Sequence, residues 1–205
     1  EYGIDKPDLR FDMKLIDFND LASNSNFKIF KQAEYVKGIF AEKDFSRKEI
    51  DKLTNLVKIY KAKGLAYMKV KNKKLDSGIS KFFSKKEQEQ ILKKLPKKDG
   101  TVFFIADNKK ICLTALGQLR NELGNILNLK DNKKFRFCWI KDFPLFSYNQ
   151  EEKKWEPEHH MFSMPKKEFI DDFEKRPGEV KGDLWDLVLN GVEMASGSIR
   201  ISNPE

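Results

Sequence analysis

Apolar positions in the first two thirds of the chain switch repeatedly between two spacings. Ile50, Leu53, Leu56, Val57 and Tyr60 recur every three or four residues, as on one face of a helix. Ahead of them Ser46 and Glu49 form a capping box, in which a hydroxyl and a carboxylate each satisfy an otherwise orphaned backbone amide. The stripe predicts a helix that stops at Gly64. Ser84 and Glu87 repeat the device before Ile91, Leu92 and Leu95, and Pro96 ends that helix. A third stripe, with Ala115, Leu116, Leu119, Leu123, Ile126 and Leu127, follows a cap at Asp107 or Asn108. Between the stripes, β-prone runs predict strands at residues 35–40, at 65–70 and, after an Asp99-Gly100 turn, at 102–106. Upstream, Gly3 and Pro7 mark a turn, residues 9–16 read as extended, 19–22 as a short helix and 27–30 as a strand. Strands alternating with helices make this block an α/β or α+β unit of its own.

A polar linker at residues 131–134 leads into a strongly β-prone run at 135–146, where Pro144 marks an end or an edge. A charged hairpin at 149–154 follows. Ser163 with Pro165 then opens a short helix carrying Phe169, Ile170 and Phe173, which Pro177-Gly178 breaks. The run at 184–201 begins apolar and nearly uncharged, passes through Ala195, Ser196 and Gly197, and ends on Arg200 in an apolar frame. A strand apolar on both faces reads as buried on both. This one nevertheless carries Asp186, Asn190, Glu193 and Arg200, and buried ionised groups are costly unless paired or bound. Either these groups pair with each other, or they line a pocket for a charged ligand. The small residues would let such a ligand approach the backbone.

Composition narrows the classes. With 205 residues, 40% of them hydrophobic and 35% charged, the chain is globular, with room for one large domain or two modest ones. It holds no apolar run long enough to span a membrane. Starting on Glu1 without a signal peptide and stopping at Glu205, it reads as a piece cut from something longer. Cys112 and Cys138 lie far apart and outside any C-x-x-C, which points to reduced thiols in a cytoplasmic protein. The net charge of +8 permits a nucleic-acid partner, although a lysine-rich bias spread over solvated faces gives the same balance.

The chemistry-bearing residues leave alternatives open. His159 and His160 are the only histidines, and neighbours on an extended backbone point to opposite faces. With no acidic or cysteine cluster nearby, a shared metal is disfavoured; one histidine at a pocket edge and the other in the framework fits better. Glu193 and Arg200 read equally as an internal ion pair or as two ligand-binding groups, a carboxylate for Mg²⁺-nucleotide and a guanidinium for an anion.

Several longer motifs add to this reading. Tyr-Gly-Ile-Asp-Lys-Pro-Asp-Leu-Arg at 2–10, Asp-Phe-Pro-Leu-Phe at 142–146, His159-His160-x-Phe162, and Asp186-Leu-Val-Leu-Asn-Gly-x-Glu193 followed by Gly197-Ser-Ile-Arg200-Ile resemble bacterial-type aspartyl-tRNA synthetase. The middle block, with Ser46-Arg-Lys-Glu-Ile-Asp, residues 58–70 and Ala115-Leu-Gly-x-Leu-Arg120, resembles that enzyme's bacterial insertion domain. The likeness runs in order over essentially the whole chain.

The resemblance implies an α+β chain: a mixed α/β insertion domain plus part of a class II synthetase antiparallel sheet with flanking helices. It implies a catalytic-core lead-in at 1–14, the insertion domain at 15–133 and a partial class II core at 134–205. The implied reaction joins L-aspartate to ATP as aspartyl-adenylate and transfers aspartate to tRNA-Asp, with ATP and Mg²⁺ as cofactors, in a cytoplasmic homodimer without a membrane partner. Carried over by motif, His159 and Arg200 bind L-aspartate, Glu193 binds ATP and its Mg²⁺, and Asp186 orients Arg200 from behind.

The sequence departs from the family in places. The family's run of glycines after the glutamate is Met194-Ala195-Ser196-Gly197, its His-His-Pro-Phe has Met161, and the insertion is shortened between Phe40 and Phe45. The anticodon-binding barrel and the three class II signature motifs have no counterpart, so the chain alone is expected not to form the adenylate. Two further readings remain. One is a binding module for tRNA or a protein, with Lys69, Lys71, Lys73, Lys74, Lys93, Lys94, Lys97 and Lys98 as phosphate contacts. The other is a tRNA-dependent amidotransferase subunit, which shares the insertion module.

Overall fold

The computed structural model describes residues 1–158, 160–171 and 173–202. It divides into two compact units, residues 1–134 and 135–205. The chain is mixed α+β, but among the described residues every α-helix lies in the first unit; the second has strands and short 3₁₀ turns, and every strand pairing is antiparallel.

The first unit is built on a five-stranded sheet. In chain order its elements are β1 (Ile16–Asp17), α1 (Asn19–Asn24), α2 (Lys28–Lys31), β2 (Tyr35–Ala41), α3 (Arg47–Ile59), β3 (Ala66–Lys71), β4 (Lys74–Asp76), α4 (Lys85–Lys94), β5 (Gly100–Asp107) and α5 (Lys109–Ile126). The sheet order is β1-β2-β5-β3-β4. Central β5 is covered on both faces because alternate side chains enter different cores. Phe103 and Ile105 join Ile39, Leu53, Val57, Leu116 and Leu119 under α3 and α5. Val102 and Phe104 join Phe18, Phe30, Val36, Met68 and Ile91 under the short helices and α4. The rings of Phe18 and Phe30 lie 5.0 and 5.5 Å from that of Phe104.

Both capping boxes form, at Ser46 with Glu49 and at Ser84 with Glu87. Asn108 rather than Asp107 caps α5, its Oδ1 accepting from the Ile111 amide at 2.9 Å. The helix expected to run to Gly64 ends earlier. Lys61 takes the left-handed conformation (φ 67°), and the Ala62 amide donates to the Val57 carbonyl. This Schellman closure turns buried Ala62 into the core. The strand expected at 27–30 is instead the single helical turn α2. Four residues carry too little periodicity to separate the two, and burial of Phe30 against Phe83 and Phe104 decides.

Residues 1–14, expected as a lead-in to a catalytic core, pack within this first unit. Phe11, Met13 and Leu15 enter the α3/α5 core. Gly3 (φ 83°) lies flat on α5, where an added Cβ would stand 2.3 Å from the Leu113 carbonyl oxygen. Arg120 of α5 locks the segment: it is 1% exposed and donates to the carbonyls of Met13 (2.7 Å), Phe11 (2.8 Å) and Asp8 (2.9 Å).

The second unit has a three-stranded sheet, β10-β9-β6, and a hairpin, β7-β8. The strands are β6 (Phe137–Lys141), β7 (Phe146–Asn149), β8 (Lys154–Pro157), β9 (Leu184–Leu189) and β10 (Val192–Ser198). The β-prone run at 135–146 is thus broken, by Asp142 in a left-handed conformation (φ 63°) and by Pro144 in an isolated bridge to Lys181. The stretch from Ser163 to Pro165 is extended rather than helical, and among the described residues a 3₁₀ turn, Lys167–Phe169, stands where the helix was expected. Among the described residues no helix is long and apolar enough to cross a membrane.

Candidate active site

The run read as one doubly buried strand is a hairpin. Asn190 (φ 51°) and Gly191 (φ 87°) form its two-residue turn, the left-handed pair that suits the twist of flanking strands. Asn190 also fixes β6: its Oδ1 accepts from the Arg136 amide at 3.0 Å, and its own amide donates to the Arg136 carbonyl. The hairpin is not buried on both sides. Val188 is fully buried and Leu184 nearly so, while Val192 and Met194 are exposed.

A bulge sets which residues share a face. Glu193 stands opposite Val188 and Ala195 opposite Leu187, so Met194 is the extra residue. Glu193 and Arg200 are seven positions apart, which in a regular strand places them on opposite faces. The bulge restores the alternation, so Glu193, Ser196 and Ser198 share the face of Asp186 and Val188. Arg200 continues it. Arg200 stands opposite Ser163 in an isolated bridge, and Ser163 Oγ lies 3.2 Å from Ser198 Oγ.

The same bridge ties Arg200 to the histidine loop. The Met164 amide donates to the Ile199 carbonyl at 2.8 Å, and the Ile201 amide to the Phe162 carbonyl at 3.0 Å. The Arg200 guanidinium carbon lies 4.2 Å from the centre of the Phe162 ring, and the His160 ring stacks on Phe162 at 4.8 Å. Among the described residues Arg200 therefore rests on an aromatic face rather than in an ion pair with Glu193, and its fork stays available to an anion. A cleft of about 670 Å³ opens beside this loop, lined by Lys154, Trp155, Glu156, His160, Met161 and Phe162. His159 lies outside the described residues.

Asp186 is half-buried opposite Ser196 and Ile140. Four strand positions separate Ser196 from Arg200, roughly 13 Å at strand rise. Glu193 is exposed. No group of three or more metal-ligating side chains occurs among the described residues. A divalent ion here would need ligand oxygens beyond those of Glu193, as when it arrives with polyphosphate. Asp142, in the Asp-Phe-Pro-Leu-Phe motif, pairs with Lys166, and that hydrogen bond holds its carboxyl below the usual carboxylate range.

Sequence reasoning assigned no role to Arg120 or to the Asp8–Arg10 pair. Arg10 contacts both carboxylate oxygens of Asp8, with Nη2 to Oδ2 at 2.7 Å and Nε to Oδ1 at 3.0 Å. The dense charge around the turn was the available signal, and it marks a buried lock rather than a ligand site.

Comparison with known proteins bears on the whole chain. Residues 28–116 match the GAD domain family. Over 213 aligned residues, all of this chain is 50% identical to an aspartate–tRNA(Asp/Asn) ligase of Treponema denticola, of which the match covers 36%. The figures are 45% identity and 36% coverage for the aspartate–tRNA(Asp/Asn) ligase of Borreliella afzelii. For the aspartate–tRNA ligase of Clostridium acetobutylicum, 98% of this chain matches at 46% identity, over 35% of that protein. Residues 28–116 are thus similar to the GAD domain family, and the chain, similar along its whole length to these aspartate–tRNA ligases, spans about a third of their length.

Proposed function

We propose that this chain works as part of an aspartyl-tRNA synthetase, which joins L-aspartate to ATP as aspartyl-adenylate and passes it to tRNA-Asp. The observation that carries this reading is the shared face of Glu193 and Arg200, with Arg200 held beside the His160–Phe162 loop. The names of its relatives support the same reaction. In this reading residues 15–133 are the insertion domain and residues 134–205 part of a class II catalytic core. The second sheet supports the latter. Phe137, Trp139 and Val192 are about three-fifths exposed and lie, with Leu187 and Leu189, on one sheet face. Such a face belongs under further protein.

The site residues then divide the substrates. The planar fork of Arg200 matches both oxygens of the aspartate side chain, and asparagine offers it one acceptor and no charge. Phe162 holds the guanidinium plane in place beneath that ligand. His159 completes the amino-acid side. Asp186, opposite Ser196 and four strand positions from Arg200, is too far to touch the guanidinium and bears on it only through the strand between them. Glu193 faces the nucleotide, where its carboxylate would hold Mg²⁺ against the phosphates; the bound ion would offset charge developing there. A homodimeric, cytoplasmic enzyme is the setting this reaction implies.

The reading is tested in a chimera in which this chain replaces the matching segment of the Treponema denticola ligase. Aspartate-dependent ATP–pyrophosphate exchange is expected from the chimera and none from the 205-residue chain alone. A folded chimera inert toward aspartate overturns the assignment, and exchange by the chain alone overturns its dependence on further protein.

A further inference from the structure

The chain's positive charge is concentrated rather than spread. Residues 61–100 hold thirteen lysines against four carboxylates, an excess of nine, whereas the whole chain carries a net +8. The fold sorts these lysines. Lys69 and Lys71 both reach Asp44. Lys94 donates to the Asp17 carbonyl at 2.9 Å and lies over the Phe18 ring. Lys98 pairs with Glu42 at 2.6 Å. Lys73, Lys93 and Lys97 are exposed and, among the described residues, pair with no carboxylate.

Those three lysines, with Lys98, rim one cleft of about 280 Å³ whose floor is Val70, Leu92 and Pro96. The rim is built by backbone geometry. Asn72 (φ 49°) and Lys73 (φ 61°) form the tight turn between β3 and β4, which projects Lys73. The Asn72 amide donates to Asp99 Oδ1 at 2.9 Å, clipping that turn to the loop that leaves α4 and carries Lys97 and Lys98. Lys93 comes from the last turn of α4 itself. Two segments distant in sequence thus hold four ammonium groups around an apolar floor. The one carboxylate of the cleft, Asp99, is engaged by a backbone amide.

We propose that this cleft binds the phosphate backbone of an RNA strand, with a ribose or base face resting on Val70, Leu92 and Pro96. Lysines act as compact point charges toward phosphates, and their association with a polyanion is driven by counterion release. The volume lies at the lower end for ligand clefts, about 300–1,000 Å³, which suits one nucleotide unit of a longer strand. The choice of RNA over other polyanions rests on the proposed synthetase function; the site itself rests on the charge and the cleft.

The test is fluorescence anisotropy of a labelled tRNA transcript with the 205-residue chain over a range of salt. Replacing Lys73, Lys93 and Lys97 together by Gln is expected to weaken binding about tenfold or more at low salt. It should also reduce the slope of log K against log salt by about 2, at roughly 0.7 per single-stranded phosphate contact. Lys48, Lys52 and Lys58, exposed on α3, give a control triple replacement of equal charge. Equal losses from both triples, or binding insensitive to salt, overturn the proposal. Competition by polyglutamate as effective as that by unlabelled RNA overturns it in favour of an acidic protein partner. RNA binding needs neither aspartate nor ATP, so a chimera that fails in exchange leaves this result standing, and the reverse also holds.

Discussion

Arg120 donates to the carbonyl of Met13 across 2.7 Å, and so pins the N-terminal segment to α5. The guanidinium carbon lies 4.7 Å from the centre of the Tyr2 ring and 4.1 Å from that of Phe11. Burial lowers its pKa below the usual arginine value. The charge is retained because three carbonyls converge on it. Arg120→Met would leave those carbonyls buried without donors, at a cost of about 3 kcal/mol. Urea unfolding measures the loss, and limited proteolysis should release residues 1–14 first. An unchanged midpoint would show that the segment is held by its apolar contacts alone.

Acid should weaken the first unit in a defined window. The Glu49 carboxyl, hydrogen-bonded by Lys43 and by the Ser46 amide and hydroxyl, is lowered from 4.5 to about 2. A depressed folded value means that its stabilisation is complete above about 4.5 and lost as pH falls toward about 2. Glu49→Gln keeps an acceptor for the Ser46 amide but removes the charge. The melting-temperature gap between parent and variant should therefore close between those pH values. A gap of constant size down to pH 2 would contradict the assignment.

The second sheet offers a test of its uncovered face. Phe137 is 58% exposed and Val192 61% exposed, both opposite Leu189. Phe137→Gln with Val192→Gln should lower binding of a hydrophobic dye and reduce self-association, with little change in the unfolding midpoint. In the chimera the same pair should be destabilising, because there the face is covered. Equal behaviour in both settings would mean that nothing packs on it.

Arg200 should resist conservative replacement. Lysine supplies the charge without the planar fork or its stacking on Phe162. In the chimera, Arg200→Lys should lower kcat/KM for aspartate about 100-fold, the size expected when a bidentate charge-assisted contact is lost. Most of that loss should appear in KM. An effect within threefold would remove Arg200 from the amino-acid side.

The sequence by itself determined the three longer helices, both capping boxes and most of the first unit's strands. Ser46 with Glu49, and Ser84 with Glu87, act through neighbours within one turn, so local spacing suffices to read them. The resemblance to aspartyl-tRNA synthetase was equally legible, since long motifs in order carry more information than any single residue.

Tertiary structure alone decided the rest. Phe30 is helical because distant aromatic rings bury it, and no four-residue pattern encodes that contact. The helix starting at Arg47 closes at Lys61 because Ala62 finds room in the core, although Gly64 is the better-known signal. The Asn190-Gly191 turn was written in the sequence, yet the apolar run around it concealed a hairpin. The bulge at Met194 left no such mark: it depends on register with β9, and register is a relation between two strands. That relation, rather than the identity of either residue, sets Glu193 and Arg200 on the same face.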